Sequence, residues 1–350
     1  MPERDAYYGK LPAKTMEEMH LIDSTNDKSP LMFSLQKDPG RYERVLTWNF
    51  RFKGNPLAVV KVGNNNIPQE RKQRIAREFN FSETVFLHNA EAGQPPRVDI
   101  FTPVNEMDFA GHPVIGAGHL LFRELQGNNS HAPGQEQQNL TILTKAGPVA
   151  VSYEPSEEVV SAEVPHNVHV HSRGTPITNI KDVQPSMSAS DFQDVEDTHP
   201  TVSIVKGVTY VLMDLTEHPG LFANLVPGDS PKLDLDEGWA PSFTGIMYYR
   251  ALGSREQGDT RVWNLRVRMI AINLEDPACG SGSCALGAYL ALSKGQQSRK
   301  HRFYIDQGAE MGRDSHIVVD ITLDEEGTKV STIKLAGRAA FVAEGKIFIS

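Results

Sequence analysis

Two short segments far apart in the chain share one pattern. Glu106-Met107-Asp108-Phe109-Ala110-Gly111 and Glu275-Asp276-Pro277-Ala278-Cys279-Gly280 both read Glu-x-x-x-small-Gly. Each follows an apolar run with strand character and leads into a helical segment rich in small residues. Those segments carry Gly116-Ala117-Gly118 in one case and Ala285-Leu286-Gly287-Ala288 in the other. A strand–turn–strand pattern also precedes each, around Gly54 and around Gly207. Several elements recurring in the same order mark a repeated structural unit. The chain is therefore expected to form two related α/β lobes. Helices lined by Gly and Ala can lie close against a surrounding sheet, so each lobe should hold a central helix wrapped by strands. Both helix N-termini should then face one shared seam.

A chain of 350 residues has room for two domains of about 100–200 residues each. Its 39% hydrophobic and 23% charged content matches an ordinary globular protein. Residues 1–42 are polar, without a sustained period, and read as an extension. The first lobe is assigned to 43–155 and the second to 156–330, with strands in 331–350 returning toward the first lobe. Within the first lobe, strands are expected at Val45–Phe50, Leu57–Val62, Ser82–Leu87 and Val98–Pro103. Pro68 opens a helical pattern that runs to Phe79. Helices are also expected after Gly111-His112-Pro113 to about Leu125, and from about Cys284 to Lys294. Residues 126–138 read as a surface loop. The stretches 173–199 and 227–253 read as irregular and are placed at the rim of a pocket.

The net charge of −9 argues against a nucleic-acid partner, since such proteins present a basic face. No run approaches the roughly 18–20 apolar residues that a membrane helix needs. The start, Met-Pro-Glu-Arg-Asp, lacks the basic-then-apolar order of a secretory signal. The two cysteines, Cys279 and Cys284, form no disulfide framework and fit a reducing compartment. A cytoplasmic protein acting on a small molecule is the expectation. No His or Cys spacing matches a zinc site, so no metal is expected.

The segment Pro277-Ala278-Cys279-Gly280-Ser281-Gly282-Ser283 enters a helix. A helix N-terminus offers unpaired N–H groups and the positive end of the dipole, a ready site for a carboxylate or phosphate. The plainer alternative is that the glycines only permit a tight corner. The phosphate-loop ending Gly-Lys-Ser/Thr is missing. A dinucleotide fingerprint fits only loosely, as Gly280-x-Gly282-x-x-Ala285 with Asp306 as ribose partner, and no series of βαβ units surrounds it. Glu83, at the mouth of a strand, is either a solvated edge residue or a desolvated acid/base. His112, in the first turn of a helix, is either a structural histidine or a neutral imidazole facing substrate. Asp276 is either a cap or a hydrogen-bond acceptor for substrate. Cys279 is either an activated thiol or a small residue at a tight corner. No Gly-x-Ser-x-Gly elbow is present.

Four motifs then occur in order: Lys53-Gly54-Asn55-Pro56-Leu57-Ala58-Val59-Val60, Ser82-Glu83-Thr84-Val85-Phe86, Phe109-Ala110-Gly111-His112-Pro113-Val114-Ile115-Gly116, and Glu275-Asp276-Pro277-Ala278-Cys279-Gly280-Ser281. Together with the later Gln307-Gly308-Ala309-Glu310-Met311-Gly312-Arg313, they resemble the phenazine-biosynthesis PhzF-like family from about Val45 to the C-terminus. The resemblance implies the diaminopimelate-epimerase-like fold and an isomerase that shifts a proton without a cofactor, in the manner of secondary metabolism. It implies that Glu83 relays the proton and that His112, beside Gly111, and Asp276 orient substrate. The substrate carboxylate would rest on Gly280, Ser281, Gly282 and Ser283. The resemblance also points to a homodimer, with the oligomeric state otherwise open. One departure concerns Cys279, where many members carry Thr. Ala-Cys-Gly-Ser-Gly is similar to the second thiol motif of diaminopimelate epimerases and proline racemases, but the matching first position is Ala110, which excludes a two-thiol racemase. Two alternatives to the isomerase follow: an epimerase pairing Glu83 with Cys279, and a small-molecule-binding protein without turnover.

Overall fold

In the computed structural model the chain passes twice through the same succession of elements. The structure describes residues 15–24, 53–62, 67–90, 93–128, 137–184, 194–294 and 298–349. In the first half, strand Asn55–Val62 lies parallel to Glu83–His88, connected through helix α1 (Gln69–Phe79). Glu83–His88 pairs antiparallel with Arg97–Phe101, which folds back on the short strand Glu106–Met107. Helix α2 (Gly111–Asn128) follows, and Gln138–Thr144, Gly147–Glu154 and Val159–Glu163 complete the lobe as an antiparallel ladder.

The second half repeats the order. After the short helix α3 (Ile177–Lys181), strand Val208–Asp214 pairs in parallel with Phe243–Gln257, the two connected through the short helix α4 (Pro219–Asn224). Phe243–Gln257 pairs antiparallel with Thr260–Ala271, which folds back on Leu274–Asp276. Helix α5 (Gly280–Lys294) comes next. Strand Lys300–Gln307 then returns parallel to Thr260–Ala271, and Ser315–Leu323 and Val330–Gly337 extend the ladder. Val330–Gly337 also pairs with Val159–Glu163, joining the two halves. The fold is the mixed α/β, diaminopimelate-epimerase-like architecture with a helix at the heart of each lobe.

Each central helix is buried on nearly all sides, which an apolar sequence without a polar stripe requires. Around α2, Val114, Ala117, Leu120 and Phe122 pack on Val59, Val85, Ile100, Ile142 and Val160. Around α5, Ala285, Leu286, Ala288 and Leu290 pack on Leu212, Val267, Phe303, Ile305 and Val319. Gly118 and Gly287 sit at matching positions of the two helices. A Cβ at Gly118 would lie 2.9 Å from Val160 Cγ1, and one at Gly287 3.2 Å from the Phe303 ring. The small side of each helix is thus the one pressed by strand side chains. The two N-termini meet at the seam, with Leu335 packed against both Gly111 and Gly280.

Three expectations change. Residues 15–24 form a strand, paired antiparallel with both Asn55–Val62 and Ala340–Ile349; its neighbours supply the order that its own sequence pattern does not. Residues 243–253 belong to a long strand rather than an irregular rim. Ile246–Tyr249 are buried there, and a strand covered on both faces lacks the polar alternation that marks one from sequence. Helix α5 starts at Gly280, four residues earlier than expected, so the glycine corner is its first turn. The strand expected at Val45–Phe50 lies outside the described residues. Among the described residues no helix is long and apolar enough to cross a membrane.

Candidate active site

Alternation along a strand separates the two carboxylates of the second corner. Neighbouring side chains point to opposite faces, so Glu275 and Asp276 part company. Glu275 faces Arg268, two residues along from its cross-strand partner Ile270. It receives Arg268 Nε at 2.8 Å and Nη2 at 2.7 Å, in a pair with side chains 5% and 6% exposed. Asp276 turns toward the seam, where Oδ1 accepts the Ala278 N–H at 2.8 Å and Asn55 Nδ2 at 3.2 Å. In the first corner, by contrast, Glu106 and Asp108 pair with the half-exposed Lys145 at 3.3 and 3.0 Å, contacts worth little in solvent.

Glu83 opens its strand directly opposite Leu57 and meets the first turn of α2. Its Oε2 lies 3.4 Å from His112 Nδ1, with the two side chains 18% and 11% exposed. Neither Glu83 Oε2 nor His112 Nε2 has a hydrogen-bond partner among the described residues. Buried polar atoms are nearly always satisfied, which makes these two candidates to meet a ligand. Burial pushes the Glu83 carboxyl up to about 7. It pushes His112 down to about 4, against the pull of Asp276. Burial, with the nearby Glu83, raises Asp276 to about 6. Near neutrality His112 is uncharged, and the two carboxyls compete over ionisation and titrate as a coupled pair.

Asn55 ties the two halves of this cluster together. Its Oδ1 accepts the Ser82 hydroxyl at 2.8 Å while its Nδ2 donates to Asp276. On the second lobe Gln307 holds the same corner, donating from Nε2 to the Asp276 carbonyl at 2.6 Å and accepting the Cys279 N–H at 3.3 Å. Gly308, at φ 81°, lies under Pro277; a Cβ there would come 2.8 Å from the Pro277 carbonyl oxygen and closer still to that of Arg313. Both neighbours are backbone and cannot step aside. Gly308→Ala is therefore expected to destabilise the protein by about 1–3 kcal/mol, read as a lower urea midpoint. An unchanged midpoint would show that the corner can yield.

The first turn of α5 carries the remaining candidates. Ser283 N–H bonds to the Cys279 carbonyl at 3.0 Å, and Gly282 N–H points to Cys279 Sγ at 3.4 Å. That leaves the N–H groups of Gly280 and Ser281, which have no acceptor within the helix, as the donors open to an anion. The expected four-residue cradle contracts to these two. Gly282 has a packing duty as well, since a Cβ there would strike Met247 Sδ. The Cys279 thiol, 5% exposed, lies 3.4 Å from Tyr210 Oη, which in turn is 2.7 Å from Ser281 Oγ. Burial pushes this thiol up to about 12, the opposite of the helix-terminus activation considered from sequence.

Sequence reasoning named Glu83, His112, Asp276 and the Cys279–Ser283 turn, and the fold gathers them at one seam. It missed Asn55, Tyr210 and Gln307. Asn55 and Gln307 stood within quoted motifs, while Tyr210 carried no local signal. Elsewhere His169, His171 and Asp236 come together. Both ring nitrogens of His171 are already engaged, Nδ1 by the Asp236 N–H at 3.1 Å and Nε2 by Ser203 Oγ at 2.9 Å. The trio serves as a hydrogen-bonded corner rather than an open ligand set.

Two duplicated lobes thus set titratable side chains between opposing helix N-termini, the architecture of a cleft enzyme. The family model for phenazine biosynthesis-like proteins matches residues 49–345, and the chain belongs to that family. It is 30% identical over 315 residues to an uncharacterized isomerase of Mesorhizobium japonicum, covering 85% of this chain and 95% of that protein. It is 27% identical over 299 residues to the trans-2,3-dihydro-3-hydroxyanthranilate isomerase of Pseudomonas aeruginosa, again covering 85% and 95%. A PhzF-family phenazine biosynthesis protein from Bacillus anthracis shares the fold at TM-score 0.68 and 20% identity, over 96% of this chain and all of that one. A hydroxyproline epimerase from Agrobacterium vitis shares it at TM-score 0.54 and 14% identity, over 95% of this chain and 91% of that one. The chain is an enzyme of the isomerase class.

Proposed function

We propose that the seam catalyses a cofactor-independent proton shift on a small, unsaturated or carbonyl-bearing carboxylate, with Glu83 as the acid/base. The observation that carries this is the buried Glu83 carboxyl, held near neutrality by burial, 3.4 Å from His112 Nδ1, with Glu83 Oε2 and His112 Nε2 both without a hydrogen-bond partner among the described residues. A base poised near the working pH can both take a proton from carbon and return it. The substrate carboxylate docks on the Gly280 and Ser281 N–H groups, where helix α5 begins. His112 and Asp276 hold its polar substituents and the charge that spreads when the proton leaves. One carboxyl serves as both acceptor and donor of the proton, so the reaction calls for no cofactor. The Pseudomonas aeruginosa relative is named for a substrate of this kind, a dihydro-hydroxyanthranilate.

The test is a panel of small unsaturated carboxylates incubated with the protein in heavy water, with deuterium uptake read by mass. Uptake into at least one of them at a carbon adjacent to the activating group is expected; an inert panel would overturn the reading.

A second reading pairs Glu83 with Cys279 in an epimerase, and it rests on the thiol standing beside Ser281 in the first turn of α5. A thiol raised to about 12 is a poor base, and the opposing corner offers only Ala110. Cys279→Ala is therefore expected to keep deuterium uptake within a few-fold of wild type, and iodoacetamide to react slowly with and without ligand. Loss of uptake in Cys279→Ala, with ligand protecting the thiol, would favour the epimerase.

A further inference from the structure

Tyr210, Cys279 and Ser281 meet at the first turn of α5. Tyr210 stands on strand Val208–Asp214, opposite Gly245 of the neighbouring strand. A Cβ at Gly245 would lie 3.3 Å from the Tyr210 ring, so the missing side chain gives the ring its place. The Tyr210 side chain is buried, and its hydroxyl lies 2.7 Å from Ser281 Oγ and 3.4 Å from Cys279 Sγ. Cys279 Sγ in turn receives the Gly282 N–H at 3.4 Å. Ser281 is only half-buried and carries one of the two N–H groups left open at the seam. The charge of Asp276 acts on both Tyr210 and Cys279, which sets the trio at the wall of the candidate site.

The direction of these hydrogen bonds follows from counting protons. Phenol and thiol hold one each. Burial keeps both protonated near neutrality, pushing the thiol up to about 12 and the phenol well above its ordinary value. A thiol sulfur is a weak acceptor, and the serine oxygen is also closer. Tyr210 therefore donates to Ser281 Oγ, and its own oxygen accepts the Cys279 S–H. Ser281, accepting from Tyr210, keeps its proton for a partner outside the chain. We propose that Tyr210, with Cys279 behind it, is a positioning residue that makes the Ser281 hydroxyl an outward donor and so selects carboxylate over carboxamide. The corner then presents the Gly280 N–H, the Ser281 N–H and the Ser281 O–H, all donors. Hydrogen bonds in such a chain polarise one another, which strengthens the last of them. A carboxylate offers lone pairs to every donor, whereas a carboxamide of the same shape must bring its NH2 against one. The reverse order, with Ser281 donating to Tyr210 and Tyr210 to sulfur, would turn serine lone pairs outward and tolerate the amide. The Cys279 thiol thus serves as a donor, a role that needs its proton in place.

The selection rests on the carboxylate docking proposed above, but the hydrogen-bond chain can be read without any ligand. Raman difference spectra, wild type minus Cys279→Ala, isolate the Cys279 S–H stretch. It is expected at the lowered frequency of a donating thiol, and should rise when the same difference is taken in a Tyr210→Phe background. Titration calorimetry then compares benzoate with benzamide as a carboxylate and carboxamide of one shape. Wild type should prefer benzoate, and Tyr210→Phe should cut that preference by about two- to tenfold, the worth of one hydrogen bond. In a Ser281→Ala background the same change should move the preference by less than about twofold, because the hydroxyl it directs is gone. Cys279→Ala, which removes the donor behind Tyr210, should lower the preference in the same direction and stands in should Tyr210→Phe fold poorly. A free-thiol frequency in wild type, or one that ignores Tyr210→Phe, overturns the proposal. An equal effect of Tyr210→Phe with and without the Ser281 hydroxyl does so too, leaving Tyr210 a packing residue. Failure of the docking reading looks different: wild type then shows no preference for benzoate, and the selection falls with it even where the lowered S–H frequency is seen.

Discussion

Glu83→Gln is expected to keep substrate bound and to stop the incorporation of solvent deuterium. The amide matches the carboxyl in volume, so the packing against His112 survives, yet it has no basic oxygen able to take a proton from carbon. General acid/base groups contribute about 10²–10⁴-fold to rate, and uptake should fall by that much with the dissociation constant within a few-fold of wild type. The pH dependence has a definite sign. The base is the carboxylate, and burial raises its pKa from 4.5 to about 7. Uptake should therefore be lost as pH falls through about 7, not through the ordinary carboxylate range. The coupled Asp276, near 6, broadens that limb, because each charge opposes the other. His112, near 4, stays neutral across it. Uptake by Glu83→Gln at the wild-type rate would remove Glu83 from the chemistry. A limb centred near 4.5 would show that burial does not tune it.

The second large effect is on stability and concerns the residue beside Asp276. Glu275→Ala leaves the Arg268 guanidinium buried, with only the carbonyls of Phe222 and Ala223 at 2.9 and 3.2 Å to accept from it. Removing one partner of a buried ion pair typically costs about 3–5 kcal/mol, since the remaining charge is uncompensated. A clear fall in Tm and urea midpoint is expected from Glu275→Ala. The double replacement Arg268→Met with Glu275→Leu should recover most of the loss, because it removes the stranded charge. Asp276→Asn, one residue away, should leave the melting curve nearly unmoved and show its effect in turnover. A Glu275→Ala protein as stable as wild type would mean that water reaches Arg268. The motif Glu275-Asp276-Pro277 thus splits by face into one residue for the fold and one for the site.

Much of this was legible before folding because it is written in neighbouring residues. The corner opening α2, the helix α1 after Pro68 and the strand at Asn55–Val62 all follow from short-range periodicity and turn residues. The residues of the first turn of α5 have the pattern of a loop, because Gly280-Ser281-Gly282-Ser283 has low helix propensity. Burial beneath Tyr210 and Met247 holds it helical regardless. The sequence leaves the thiol of Cys279 open for a related reason. A helix N-terminus lowers a thiol's pKa, but a desolvated setting raises it, and only the packed structure says which is larger. Tyr248 and its strand went unread because a strand covered on both faces offers no alternation to detect.

The sequence by itself determined that two related lobes would form, which two corners lead into their central helices, and which family's motifs the chain carries. Those are properties of residues close together along the chain, where spacing and backbone preference act directly. Only the tertiary structure decided that Asn55, Ser82, Asp276 and Gln307 link hand to hand across the lobes. It also decided how far Glu83 is removed from water. Burial and convergence are sums over distant segments, and no local pattern encodes them.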